Sequence, residues 1–231
     1  MRLTSSLFVS AIVASALVVG CEDPAANAPK AAVGSAKPVA AASSAAPAKA
    51  SSAATASAAP SAAAPAGDAV VFPIDATASK VEFVGSKVTG KHEGKFEKFS
   101  GSITVTGGKA ETAKIAVEID AASLKTDSEK LDGHLKSADF FEVEKFPKAS
   151  FTSTEIKIEG EKATITGNLN LHGVEKSISF PATVKLDATS VSASAEFSIN
   201  RKDFGLVYAG KPDDLIRDEV LIKLTVAGKR G

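Results

Sequence analysis

The sequence predicts an all-β domain, and three observations carry that expectation. From residue 69 onward apolar and polar residues alternate with a period of two, turn-forming residues interrupt the alternation at short intervals, and only one stretch has helical spacing. The clearest row is Ile178, Phe180, Ala182, Val184 and Leu186, interleaved with Ser177, Ser179, Pro181, Thr183 and Lys185. Further rows are Val191 to Ile199, Val220 to Val226, Ile165 to Leu171 and Ile115 to Ile119, with Val81 and Phe83 beginning another. Turns are expected at Thr106-Gly107-Gly108-Lys109, at Glu159-Gly160-Glu161 and at Asp187-Ala188-Thr189-Ser190. At least seven strands at this spacing, mostly antiparallel, predict a barrel or a sandwich rather than an α/β layer.

The one helical stretch opens with Thr126 and Glu129, spaced as a capping box that satisfies two otherwise unpaired amides. Leu131, His134, Leu135 and Ala138 then form a single apolar stripe. A short helix of this kind is expected to cap one end of the sheet, with Phe140-Phe141 following as a plug. The inward rows carry small residues, Gly167, Ala182, Ala193 and Ala195, on three consecutive strands. Such residues either fit a taper or leave volume. A barrel of about eight strands holds one small ligand, and an apolar void takes an apolar guest. The competing expectation is a solid core filled by phenylalanine.

Composition narrows the function. The 231 residues contain 27 Lys+Arg and 27 Asp+Glu, so no basic excess is present to neutralise nucleic-acid phosphates. One cysteine excludes an intrachain disulfide and any multi-cysteine metal site. His92, His134 and His172 lie on different expected elements without ligand spacing, so no metal is expected. No Gly-x-Ser-x-Gly elbow or phosphate-binding glycine loop occurs, and the chain is read as a non-enzyme without a cofactor.

The chain start sets an expected compartment. Met1-Arg2 precedes an apolar run from Leu7 to Val19, too short for a comfortable permanent span and suited to a secretory signal. Leu17-Val18-Val19-Gly20-Cys21 resembles the lipobox of bacterial lipoproteins, which implies cleavage before Cys21 and its acylation. Residues 1–21 are therefore read as a lipoprotein signal. Residues 22–68, rich in Ala, Ser and Pro, are read as a disordered tether with almost nothing large and apolar to bury, and 69–231 as the barrel domain. The expected location is the bacterial cell envelope, on the periplasmic side, lipid-anchored to the membrane.

Four segments resemble the YceI-like family. His134-Leu135-Lys136-Ser137-Ala138-Asp139-Phe140-Phe141, continuing through Pro147 to Phe151, resembles its HLxSxDFF…P…F signature. Gly94–Gly101 resembles its GxFxxFxG turn, Gly167–Lys176 its GxLxxxGVxK hairpin, and Arg201-Lys202-Asp203-Phe204-Gly205 its RxDFG run. The resemblance covers essentially all of 69–231. It implies a lipocalin-like antiparallel β-barrel of about eight strands with one short capping helix, an exported location, and a long pocket for a polyisoprenoid or quinone-like lipid. The chain departs from the pattern at Leu131-Asp132-Gly133-His134, where the family often has Arg-Asp before His-Leu, and at Gly85–His92. With no tryptophan, the kinship with true lipocalins is architectural only.

The residues expected to line the pocket are Phe83, Phe96, Phe99, Leu135, Phe140, Phe141, Phe151, Leu169, Phe180, Phe197 and Phe204, with His134, Arg201 and Lys87 as candidates for a polar headgroup. Arg201, beside Asp203, is read as a cation at the barrel mouth paired to a carboxylate. The expected partners are a hydrophobic lipid and, through Cys21, a membrane; a homodimer is left open. The alternative is a ligand-free envelope interaction or stress-response module with a solid barrel core.

Overall fold

The computed structural model describes residues 23–38 and 68–230. Its strands in chain order are β1 (Ala32–Ser35), β2 (Ala69–Pro73), β3 (Lys80–Lys87), β4 (Gly90–Phe96), β5 (Phe99–Thr106), β6 (Lys114–Asp120) and β7 (Leu124–Thr126). After helix α1 (Glu129–Lys136) come β8 (Lys148–Glu159), β9 (Lys162–Leu171), β10 (Val174–Leu186) and β11 (Ser190–Asn200). The chain ends with β12 (Gly210–Lys211), β13 (Asp214–Leu215) and β14 (Glu219–Lys229).

The long strands form one curled antiparallel sheet in the order β2-β5-β6-β8-β9-β10-β11-β14-β3-β4-β7. An antiparallel bridge from Ile74 to Gly228 brings β2 back against β14 and closes the lower end of the barrel. There Phe72, Ile103, Val105 and Val191 pack as a floor. At the other end α1, Leu124, Leu135 and Phe140 pack with Phe83, Phe96, Phe141 and Tyr208, so the helix and the Phe140-Phe141 plug sit where the stripe and the plug were expected. The period-two rows are the inner faces, because a strand that packs on one side alternates its burial.

The capping box does not form. The helix begins after Ser128, and Thr126 instead turns toward Asp132, which is buried and accepts from both the Thr126 amide (2.6 Å) and its hydroxyl (2.7 Å). Those bonds, with Lys125 beside the carboxylate, hold Asp132 below the usual carboxylate range against the opposing effect of burial. Ala138 lies outside the helix and is exposed, so the stripe is shorter than its spacing predicts. Of the two expectations for the small inward residues, taper or open volume, Gly167 fits the taper: a Cβ there would run into the Phe151 ring and the Thr152 carbonyl.

The largest departure concerns the tether. Within 22–68, residues 23–38 are ordered as a strap across the outer face of the upper sheet. Ala25 is buried against Val84 and Leu221, and Lys30 pairs with Glu219 at 3.1 Å. The chain next enters a seam between β10 and β11. These two strands pair directly only from Thr183↔Ser194 to Leu186↔Val191. Higher up, β1 takes the place beside β10, pairing Ala32↔Ser179 through Ser35↔Lys176. Against β11, the Ser198 amide donates to Pro29 O and the Ala31 amide to Ser198 O, both at 2.9 Å. The strap ends at β9, where Asn168 accepts from the Lys37 amide at 3.0 Å and donates to its carbonyl at 2.6 Å. Small alanines and a glycine suit a segment that must lie flat between strands, and ladder hydrogen bonds provide order where no large apolar side chain is available. Cys21 and the rest of the expected signal, and residues 39–67 of the expected tether, lie outside the described residues.

Candidate functional site

The inner faces of the sheet do not interdigitate. They enclose a hollow of about 480 Å³ that runs from the floor to the capped end. Val117, Ile119, Ile222 and Leu224 line it and are only half-buried, although their strands direct them inward. Open volume, not protein, lies in front of them. Phe83, Phe96, Leu135, Phe140, Phe141, Phe151, Leu169, Phe180 and Phe197 all border it, as do His134, Arg201 and Lys87. Phe180 and Phe197 stack with centroids 4.2 Å apart and planes within 12°, on the two strands that flank the seam.

Two expected lining residues are elsewhere. Phe204 has no exposed surface and is part of the packed core, because the 3₁₀ turn after β11 directs it away from the hollow. Phe99 begins β5 opposite Ile119 and does not border the hollow. Aliphatic residues in the same phase as the phenylalanines, such as Ile115, Ile165, Ile178 and Val220, line the hollow as well. Their period-two spacing was the available signal. Tyr208 and Ile216 come from irregular loops and carried none.

The mouth lies beside α1 and the loops that follow β11. His134 stands edge-on to both Phe140 and Tyr208, with centroids 5.1 Å away in each case, and its Nε2 is 3.1 Å from Asp139 Oδ2. His92 Nδ1 is 2.9 Å from Asp127 Oδ1. Lys87 is bonded to Asp214, which also accepts from the Thr89 hydroxyl at 2.8 Å, and these donors hold the Asp214 carboxyl below its ordinary range. His134, His92 and Lys87 each have a carboxylate neighbour, whereas Lys211, which also borders the hollow, has none among the described residues.

Arg201 differs from its expected role. The residue is 4% exposed, and its guanidinium donates to the carbonyls of Leu206, Ile216 and Arg217. Its carboxylate partner is Asp218 at 3.3 Å, not Asp203. Burial pulls the Arg201 pKa down and Asp218 opposes that effect. With its donors directed at loop carbonyls, the residue ties the mouth loops together beside the hollow.

A second depression, of about 710 Å³, lies on the outer face. Polar residues including Glu82, Lys162, Glu196 and Lys223 border it, and it meets the hollow only at Ala182, Ser194, Ala195 and Leu224, along the seam. An open polar surface is the poorer receptor for an apolar guest. Among the described residues no cluster of three or more His, Cys, Asp or Glu side chains is placed to hold a metal ion.

The fold is shared by solved structures. BcnA of Burkholderia cenocepacia superposes with a TM-score of 0.60 at 26% identity, covering 67% of this chain and 98% of that one. A polyisoprenoid binding domain from Saccharophagus degradans superposes with a TM-score of 0.57 at 21% identity, covering 70% and 99%, and that likeness concerns the fold. Among curated relatives, a UPF0312 protein of Pseudomonas putida is 39% identical over 120 residues, which span 49% of this chain and 62% of the relative. Another, from Photorhabdus laumondii, is 47% identical over 85 residues, spanning 37% and 44%. The YceI-like domain profile matches residues 72–227, nearly the whole barrel, and the chain belongs to the YceI-like family.

Proposed function

We propose that this protein holds an isoprenoid-type lipid, polyprenyl or quinone-like, inside its barrel, and that it does so in the bacterial envelope, anchored through an acylated Cys21. The observation that carries the reading is the apolar hollow behind α1, whose inward aliphatic side chains face open volume. Scaled against a hollow of about 150 Å³ that accommodates benzene, 480 Å³ takes roughly twenty carbons, or about four isoprene units. A longer chain extends through the mouth. Burial of methylenes at ~0.8 kcal/mol each supplies the affinity without covalent chemistry. His134 and Tyr208 offer hydrogen-bonding groups to a headgroup at the mouth. The polyisoprenoid-binding domain of similar fold supports the same ligand class.

The test is purification of the chain under native conditions, organic extraction and mass spectrometry. A stoichiometric prenyl lipid is expected. A Leu169→Trp variant should fold and lose it, since Leu169 borders the hollow. A folded protein that arrives empty and takes up no prenyl lipid overturns the reading.

A further inference from the structure

Among the described residues, the exposed large aliphatic side chains are few and unevenly placed. Val88 is 57% exposed, Val207 65% and Leu215 49%; only Val71, on β2, lies elsewhere. Each of the three adjoins a residue that lines the mouth: Lys87, Tyr208 and Asp214. Val88 caps the β3–β4 turn and its amide donates to Leu215 O at 3.2 Å, while Val207 precedes the mouth residue Tyr208. Solvent-exposed apolar groups gathered at one rim mark a surface built for an apolar partner.

The strap indicates which partner. Its first described residue, Asp23, is fastened to the same rim: Oδ1 accepts from Ser86 at 3.4 Å and Oδ2 from Arg217 at 3.3 Å. Ser86 and its neighbour Lys87 border the hollow, and Arg217 follows Ile216. Position 21 is two residues away, a reach of at most about 7 Å. The chain that precedes Asp23 is therefore joined to the domain beside the mouth, not at the far end of a long tether. A group that enters a bilayer from position 21 brings Val88, Val207 and Leu215 to the bilayer surface.

We propose that the mouth rim formed by Val88, Val207 and Leu215 is a membrane-docking surface, held against a lipid bilayer by the strap so that the hollow opens directly onto the lipid phase. The inference rests on the anchored reading above and adds an orientation to it. Apolar side chains at such a rim reach roughly 5–10 Å into the headgroup and acyl boundary. Lys87 is paired with Asp214 and Arg217 with Asp23, which leaves the contact chiefly apolar, with Lys211 on the hairpin that carries Leu215 as the one rim cation without a carboxylate partner among the described residues. A lipid passing from bilayer to barrel then never crosses water.

The chain contains no tryptophan, so one introduced tryptophan reports its own position. Full-length protein, processed in a bacterial host, is placed in phosphatidylcholine vesicles with or without acyl-brominated phosphatidylcholine. Val207→Trp and Leu215→Trp are compared with Thr189→Trp, which sits in the exposed β10–β11 turn at the opposite end. Co-flotation with vesicles reports the anchor, and quenching reports the rim. The rim tryptophans are expected to lose more than about half their emission to the brominated lipid and to be shielded from aqueous iodide, with Thr189→Trp unaffected by bromine. Shielding from iodide separates docking from quenching by a brominated lipid lodged in the barrel. Adding Asp23→Ala and Asn168→Ala, which release the two ends of the strap, should reduce rim quenching several-fold in protein that still floats. Protein that floats with its rim tryptophans unquenched or open to iodide overturns the docking surface and leaves the anchor standing. Protein that does not float overturns both.

Discussion

Substitution of Gly85 by leucine separates a hollow barrel from a filled one by the sign of its effect. Gly85 lies in β3 with ordinary extended backbone, borders the hollow near the mouth, and faces His92 across the strand pair. A Cβ built there meets nothing within 4 Å. Leucine adds four carbons, worth at most about 3 kcal/mol at ~0.8 each and about 1 kcal/mol where the mouth keeps roughly two-thirds of that surface wet. Removing a glycine from a strand interior contributes roughly another 0.5–1 kcal/mol. The expected net gain is about 1–2 kcal/mol, a Tm rise of roughly 3–6 °C for a domain of this size. A packed site would lose about 1–3 kcal/mol to overpacking. Calorimetry on delipidated protein gives the sign, and extraction with mass spectrometry gives occupancy, which should fall because leucine narrows the opening. A lowered Tm refutes open space at Gly85. A raised Tm with undiminished lipid refutes the mouth as the route of loading.

The other expectations concern what holds the mouth and the strap. Arg201→Met keeps the apolar stem but leaves the Leu206, Ile216 and Arg217 carbonyls without their donor, so a loss of about 3 kcal/mol or more is expected in chemical denaturation, with faster hydrogen exchange across residues 205–218. Asn168→Ala removes both bonds to Lys37 and should cost about 1–2 kcal/mol locally. Amide exchange at residues 31–37 should accelerate while the β9–β10 pairing stays protected, and unchanged exchange there would contradict the docked strap. Asp75, Asp132 and Asp214 all titrate below their ordinary value in the folded protein, chiefly because side-chain donors (Thr77, Thr126 and Lys87 respectively) stabilise the carboxylates. Such groups add stability above the unfolded-state value near 3.9 and lose it as pH falls through the lower folded value. Their contribution should be flat above pH ~5 and decline below pH ~4. Asp132→Asn should flatten that acid limb around α1, and an unaltered limb would show that Asp132 does not contribute to it.

Much of the barrel could be read directly from residues, because a strand that buries one face writes its period into the sequence. The rows through Ile178, Val191 and Val220 fall on the inner face as spaced, and α1 with Phe140-Phe141 caps the end their stripe suggested. Local chemistry was less legible. Thr126 had the spacing of a cap, yet its hydroxyl bonds Asp132, a choice made by burial of that carboxylate. Arg201 had a carboxylate two residues away, yet the loops fold back so that three carbonyls and Asp218 reach it first.

What sequence alone determined is the class of structure: alternating strands, one cap, and an interior made of aliphatic and phenyl groups without a charged excess outside. Whether that interior is filled or open was decided by tertiary structure, since Phe151 covers Gly167 while nothing covers Gly85, and both are the same residue in the same kind of strand. Tertiary structure also decided the fate of residues 23–38. Their composition supplies too little apolar area to order a free chain, but a seam between β10 and β11 offers unpaired amides and carbonyls to any flat segment that reaches them. Those hydrogen bonds belong to partners more than a hundred residues distant, and no local pattern encodes them.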